Sequence, residues 1–144
     1  MVSIPSEGGV ERSLLSWLDG VGWETHGQDG GRGANTLDEA YQRDSHEVIY
    51  WNLLMEQVVE LNDAVTEDNV DKFISSLRRD LDAENLMDGN RAFYQLLTKG
   101  KTFNVTRDDG VTDTIYVDLI DYENPENNRF HAVNQFSVSR ETTI

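Results

Sequence analysis

A chain of 144 residues without cysteine has room for one domain and excludes disulfides and thiolate chemistry. Its hydrophobic fraction of 38% is low but above that of disordered chains. No apolar run approaches the roughly 20 residues of a membrane-spanning helix, and the amino terminus lacks the basic and apolar regions of a signal peptide. We therefore expect a soluble, cytoplasmic protein.

The net charge of −15 is the most unusual bulk property, and the acidic residues are spread over the whole chain. Two interpretations compete: a halophilic protein kept soluble by surface carboxylates, and an acidic surface that binds a partner or mimics DNA. Dispersed charge favours the halophile. The negative charge does not forbid DNA binding, because salt screens it. The Debye length is about 3 Å in 1 M salt against roughly 10 Å at 0.1 M.

The first 40 residues begin with a loose leader, residues 1–9. A helix follows at residues 10–22, where apolar side chains recur at helical spacing and Gly20 and Gly22 are natural stops. Trp23 begins a short extended piece. Residues 27–35 are too rich in glycine for regular structure and predict a flexible loop, and residues 36–40 predict a helical turn.

Residues 45–98 predict a helical insertion. Its first helix spans residues 45–61. Thr66 is placed as the N-cap of a second helix at residues 67–81, and a third covers residues 83–97, where Gly89 and Asn90 are candidates for a break.

In residues 102–138 apolar and polar side chains alternate with a period of two, which predicts strands. Asp108-Asp109-Gly110 indicates a tight turn between two antiparallel strands, and residues 130–138 predict a third strand. A leading helix, a helical insertion and antiparallel strands together give an α+β fold. Within the polar segment at residues 121–129, before the third strand, residues 124–128 form either a binding loop or a turn that satisfies its own backbone through asparagine side chains. The proline and the asparagines favour the turn.

Three blocks carry a resemblance to a known family. They lie at residues 11–23 (ERSLLSWLDGVGW), 90–100 (NRAFYQLLTKG) and 119–136 (LIDYENPENNRFHAVNQF). In this order they resemble the amino-terminal region of the R (restriction) subunit of type I restriction-modification enzymes. The last block is the most specific.

The resemblance implies that residues 1–144 form part of a nuclease domain of the PD-(D/E)xK type, which requires Mg²⁺. It also implies an ATP-dependent DNA translocase in the full-length family, with DNA and the methyltransferase (M) and specificity (S) subunits as partners. Glu11 matches a family acidic position. The family's catalytic hairpin follows the stretch that matches residues 130–138, and no Glu-x-Lys occurs in this sequence. We therefore expect this chain alone to be inactive.

Each candidate residue has a structural alternative. Glu11 is either an accessory acid that faces the metal or a first-turn glutamate favoured by the helix dipole. Asn134 and Gln135 are candidates for DNA contact, although a polar sheet face explains them equally well. His26, His46 and His131 have no ligand-like spacing, so no zinc site is expected.

Two functions remain open. The chain is either the amino-terminal part of an R subunit or a non-catalytic acidic module that docks on the methyltransferase core or interferes with DNA binding. A downstream reading frame with Pro-Asp, Glu-x-Lys and helicase motifs would establish the first.

Overall fold

A computed structural model describes residues 6–26, 36–82, 85–134 and 136–139. Its elements are α+β in kind, as the sequence predicts. The helices are α1 (Glu7–Gly20), α2 (Thr36–Ala40), α3 (Trp51–Leu61), α4 (Val70–Leu81) and α5 (Leu86–Lys99), and a short 3-10 turn covers Pro125–Asn127. The strands are β1 (Glu24–His26), β2 (Lys101–Thr106), β3 (Thr112–Val117) and β4 (His131–Val133).

The chain forms two compact units. Unit 1 comprises residues 1–52 and 129–144, and unit 2 comprises residues 53–128. Unit 1 holds the parallel pair β1–β4, and unit 2 holds the antiparallel hairpin β2–β3. Within the described ranges, no helix combines the length and apolar character needed to cross a membrane.

α1 begins earlier than predicted because Ser6 caps it. The Ser6 hydroxyl accepts a hydrogen bond from the Gly9 amide at 3.1 Å, and Glu7 occupies the first turn. Part of the predicted leader is therefore helical, while residues 1–5 lie outside the described part. The inward side of α1 carries Leu15, which is buried. Its apolar stripe, by contrast, is exposed, at Val10, Leu14, Trp17 and Val21.

The helical insertion is confirmed, but each of its three helices begins later than predicted. The first helix begins at Trp51 and not at residue 45, because Asp44 accepts from the His46 amide and holds a turn there. The second begins at Val70: Asn69 is its N-cap, and the Asn69 side chain accepts from the Thr66 amide.

The third helix of the insertion is continuous, so Gly89 and Asn90 do not split it. Asn85 caps it by accepting from the Asp88 amide at 2.9 Å, and this bond fixes the start at Leu86.

Unit 2 is organised by apolar packing. Phe73 of α4 is fully buried and meets the Phe103 ring edge-on, with centroids 5.5 Å apart. Other buried apolar side chains of this unit come from its helices, its hairpin and the connecting segments: Val58, Val65, Val70, Ile74, Leu77, Leu96, Val117 and Leu119. The buried Asn62 amide joins the end of α3 to Asp118, accepting from its N–H and donating to its C=O, both at 2.9 Å.

The predicted hairpin is confirmed. Its three-residue turn is closed by hydrogen bonds from the Arg107 amide to the Val111 carbonyl and from the Gly110 amide to the Arg107 carbonyl. Gly110 has φ +82°, a left-handed conformation that glycine adopts readily.

The third predicted strand differs from expectation. It covers three residues, His131–Val133, and pairs with β1 in parallel, with Thr25 opposite Ala132. A parallel partner requires a long crossover, and all of residues 27–130 separate the two strands along the chain. Residues 136–139 continue without ladder pairing.

Candidate functional site

The candidate site lies in unit 1, where α1 packs on the β1–β4 pair. Side chains alternate between the two faces of a strand. Thr25 lines a small cavity of about 270 Å³ with Leu15 and other residues of α1, so the face that carries Thr25 is directed toward the helix. By the same alternation, Ala132 and Asn134 lie on that face.

Glu11 and Asn134 meet at the end of β4. The Asn134 amide nitrogen donates to the Glu11 carboxylate at 3.1 Å, although 123 positions separate the two residues in the sequence. Glu11 lies in the second turn of α1, since Glu7 fills the first, so the explanation of Glu11 by a first-turn dipole effect is wrong. Asn134 directly follows β4, and the carboxyl end of a parallel strand is the usual place for a ligand.

Asn134 also has an unused acceptor. Its amide oxygen is buried and has no hydrogen-bond partner in the part of the chain that the structure describes. A buried polar atom without a partner costs about 1–3 kcal/mol. The second candidate for DNA contact, Gln135, lies outside the described residues.

The opposite face of the pair carries a Glu–His–His series. His131 Nε2 lies 2.9 Å from a Glu24 carboxylate oxygen, without hydrogen-bond alignment, and His131 Nδ1 lies 3.0 Å from His26 Nε2. Arg129 reaches the same carboxylate at 3.2 Å. Burial lowers the pKa of His26, Glu24 opposes this shift and Arg129 adds to it. The sequence did not indicate this series, because His131 lies more than 100 positions from Glu24 and His26.

The site offers a metal ion only part of a ligand set. Mg²⁺ prefers six oxygen ligands in near-octahedral geometry, of which the protein usually supplies one or two carboxylates. Glu11 provides one carboxylate, and Asn134 brings an amide oxygen nearby. Among the described residues, no three His, Asp or Glu side chains are grouped as a metal site. The fit is therefore partial and rests on Glu11.

The polar segment at residues 121–129 satisfies its own backbone. The Asp121 carboxylate accepts from the amides of Glu123 and Asn124 and from the Asn127 side chain. The hydrogen bond from the Asn124 amide is the main cause that lowers the pKa of Asp121. The Asn128 side chain bonds both the N–H and the C=O of Asp121. These bonds support the interpretation of the segment as a structural turn.

Arg43 is an organising residue that the sequence did not reveal. Its side chain is 1% exposed and forms a two-pronged pair with Asp38 at 2.8 and 2.7 Å. It also donates to the carbonyls of Glu47 and Ser137 and lies 4.3 Å from the centroid of the Phe136 ring. The hydrogen bond to Asp38 is the main cause that raises the pKa of Arg43. Arg43 thus holds the segment that follows β4.

Comparison with known proteins places the chain in a family. The family model described as "Type I restriction enzyme R protein N terminus" matches residues 4–144. The endonuclease subunit of the type I restriction enzyme HindI from Haemophilus influenzae is 32% identical over 135 residues. That alignment covers 92% of this chain and 12% of the relative's length. No solved structure matches. The chain belongs to the family of type I restriction enzyme R protein amino termini.

Proposed function

We propose that this chain is the amino-terminal part of the endonuclease domain of an R subunit, and that Glu11 is an acidic residue of its nuclease site. The contact between Glu11 and Asn134 carries the proposal. It directs a carboxylate of α1 to the carboxyl end of β4, next to the position where the family's catalytic hairpin would follow.

Glu11 would act as a ligand of Mg²⁺, and Asn134 would position it. A bound Mg²⁺ ion neutralises phosphate charge and activates the attacking water. The hydrogen bond from Asn134 would fix the orientation of the Glu11 side chain. Asn134 and Gln135 remain candidates for DNA contact, and the unused Asn134 acceptor is consistent with a further ligand there.

The full-length subunit would need partners and cofactors beyond this chain. We propose that it translocates DNA at the expense of ATP, assembles with M and S subunits and acts in the cytoplasm. The family match supports this proposal, together with the relative from Haemophilus influenzae, which is an endonuclease subunit. The alternative of an acidic interaction module is less well supported, because the family match spans nearly the whole chain.

Glu11→Gln in the full-length subunit is the direct test of the site. The change keeps the size of the side chain and removes the carboxylate charge, so we expect Mg²⁺-dependent DNA cleavage to fall about 10–100-fold while ATP hydrolysis is unchanged. Glu7→Gln is the matched control, because it alters an exposed glutamate one turn earlier on the same helix. Equal cleavage by the Glu11 and Glu7 variants would contradict the role of Glu11.

The isolated 144-residue chain supplies a second test. Because its described residues offer Glu11 without a group of three metal ligands, we expect no Mg²⁺-dependent cleavage by this chain. Cleavage that disappears in Glu11→Ala would show that the site is complete in this chain. The reading frame beyond Ile144 separates the two functions: Pro-Asp, Glu-x-Lys and helicase motifs support the R subunit, and a stop codon without such a frame supports the module.

The proposed adaptation to high salt is tested by melting. With a net charge of −15, screening by KCl should relieve repulsion between carboxylates and raise the melting temperature steeply. A melting temperature that does not change with KCl would contradict it.

A further inference from the structure

The outer edge of β2 is a free strand edge in unit 2. In an antiparallel pair, successive residues turn their N–H and C=O groups alternately toward and away from the neighbouring strand. The Arg107 amide bonds the Val111 carbonyl, so the bonded pairs continue back through Val105 and Phe103. The backbone groups of Thr102, Asn104 and Thr106 therefore point away from β3.

Two side-chain contacts support this assignment. Side chains are closer in the non-bonded pairs of an antiparallel ladder. The Thr114 hydroxyl donates to the Asn104 side chain at 2.8 Å, and the Thr106 and Thr112 hydroxyls lie 3.2 Å apart. In the described part of the chain β2 pairs with β3 alone.

A groove runs along this free edge, bounded by one side of α4. Its volume is about 660 Å³. Its helix side carries exposed charged and polar residues, in chain order Asp68, which precedes the helix, and Asp71, Lys72, Ser75 and Arg79 of α4. Neither Lys72 nor Arg79 has an ion-pair partner among the described residues.

The charges of the groove are ordered along its length. Lys101 at the start of β2 pairs with Asp80 near the end of α4, so helix and strand run in opposite directions. The end of the groove near Thr106 is consequently acidic, with Asp68 and Asp71. The end near Thr102 is basic, with Arg79.

We propose that this edge binds the same edge of a second copy of the chain. Two β2 strands placed side by side in opposite directions, about a two-fold axis at Asn104, form one four-stranded antiparallel sheet. Asn104 then pairs with Asn104 of the second copy, and Thr102 with Thr106. The backbone groups that face outward in each copy satisfy each other.

The same two-fold axis makes the charges complementary. Because the second α4 runs in the opposite direction, Arg79 faces Asp68 and Asp71 of the second copy, and the reverse pair forms on the other side of the axis. Lys72 faces Ser75 of the second copy. An extended segment of unrelated sequence has no reason to carry its charges in a matching order. Because the order of charges along this edge is complementary to itself, we favour a second copy of the chain as the partner.

Net charge opposes the dimer but does not prevent it. Each copy carries a net charge of −15. At 0.15 M salt the Debye length is about 8 Å, so carboxylates farther apart than this repel weakly, while contact pairs across the interface are screened less. A strand edge and one helix face give a small interface, so we expect a weak, reversible dimer that forms independently of nuclease activity.

Sedimentation velocity of the 144-residue chain in 0.15 M salt, up to about 1 mM, is the test, since this concentration populates even a weak dimer. We expect a concentration-dependent dimer. Arg79→Glu and Asp71→Arg should each weaken it at least about tenfold, because two symmetry-related attractions become repulsions. Arg91→Glu, which makes the same charge change at an exposed site on α5, should leave it unchanged.

Mixing the two charge variants separates this interface from any other. Equal amounts of Arg79→Glu and Asp71→Arg restore both ion pairs in a mixed dimer, so the mixture should associate although each variant alone does not. Asn104→Pro should abolish the dimer and leave the circular dichroism spectrum unchanged, because it removes an outward N–H and no backbone bond of the hairpin ladder. The cross-strand bond from the Thr114 hydroxyl to the Asn104 side chain is also lost, but it is exposed.

Three results would overturn the proposal. They are a chain that stays monomeric over the whole concentration range, a mixture that does not associate more than its components, and a dimer that survives Asn104→Pro. Association that depends on Arg91 would indicate a different surface.

Discussion

The two units of this chain are stabilised around residues of opposite character. In unit 2 the fully buried Phe73 packs among aliphatic side chains and one aromatic ring. In unit 1 the side chain of Arg43 is almost as inaccessible, but it bonds to one carboxylate and to two backbone carbonyls. The described apolar core of unit 1 is small by comparison, with Leu15 and Leu37.

The difference matters because apolar and polar interiors impose different demands. Burial of apolar area is non-directional, so different aliphatic residues of similar volume can supply the same stabilisation. A buried guanidinium needs acceptors at fixed distances and angles, and losing one leaves a charged group without compensation. Unit 2 is therefore expected to tolerate conservative core changes, whereas unit 1 is expected to depend on the identity of a single side chain.

Phe73→Ala should have the largest effect. Removing a buried phenylalanine leaves a cavity and costs about 3–5 kcal/mol of unfolding free energy. Urea unfolding followed by circular dichroism at 222 nm measures it, because α4 and α5 supply much of the helix signal. Ser75→Ala, an exposed change on the same helix, is the control. A loss below about 1 kcal/mol would mean that unit 2 is not organised around this ring.

Arg43→Met tests the polar counterpart. Methionine keeps much of the side-chain volume but removes the guanidinium that donates to Asp38 and to the Glu47 and Ser137 carbonyls, while the Tyr50 hydroxyl still donates to Asp38. Breaking a buried ion pair costs about 3–5 kcal/mol, and we expect the lower end because the Asp38 side chain is 32% exposed. Trp23 and Trp51 lie in unit 1 and unit 2 contains no tryptophan, so fluorescence reports on the affected unit.

Arg43→Lys sharpens the same test. Lysine keeps the charge but cannot form the two-pronged pair, so the loss should be smaller than for methionine yet measurable. Wild-type stability in Arg43→Lys would show that charge alone is sufficient and that the geometry of the guanidinium contributes little.

Asn62→Ala tests whether a buried polar contact also contributes to the stability of unit 2. The change leaves the Asp118 amide and carbonyl without their partner, which should cost about 2 kcal/mol. Circular dichroism in urea is again suitable, with the exposed Asn90→Ala as control. A neutral result would indicate that water satisfies both groups of Asp118.

Local sequence patterns predicted unit 2 better than unit 1. The hairpin follows from alternation and from Asp108-Asp109-Gly110, and the helices from apolar periodicity. Errors in the insertion occurred at its ends, where side chains of Asp44, Asn69 and Asn85 bond to nearby amides. Such bonds decide between a turn and one more helical turn, and periodicity does not detect them.

The helices and the first strand of unit 1 were predicted, but their packing was not, because its contacts join distant residues. Nothing near residue 131 indicates that β4 pairs with β1, and no spacing rule links Arg43 to Ser137. Glu11 was found through a family resemblance and not through its own neighbourhood. Its contact with Asn134 could not be predicted, since it depends on the parallel pairing that brings the end of β4 under α1.

The smallest expected effect concerns the pH dependence of unit 1. Burial lowers the pKa of His26 below its ordinary value of about 6.5, so the folded unit favours the neutral ring. The unfolded chain then binds more protons as the pH falls. The stability that neutral His26 contributes is complete above about pH 6.5 and is lost as the pH falls through the folded pKa.

His26→Gln should remove the part of the pH dependence of stability that His26 causes. We expect the melting temperature, followed by tryptophan fluorescence between pH 7.5 and 5, to fall less steeply in the variant than in the parent. The range stays above the region where Asp44 and Asp121, whose pKa values are lowered by hydrogen bonds, take up protons. Parallel slopes for His26→Gln and the parent would mean that contact with His131 and Glu24 offsets the cost of burial, and that the polar face of β1–β4 accepts a proton without loss of stability.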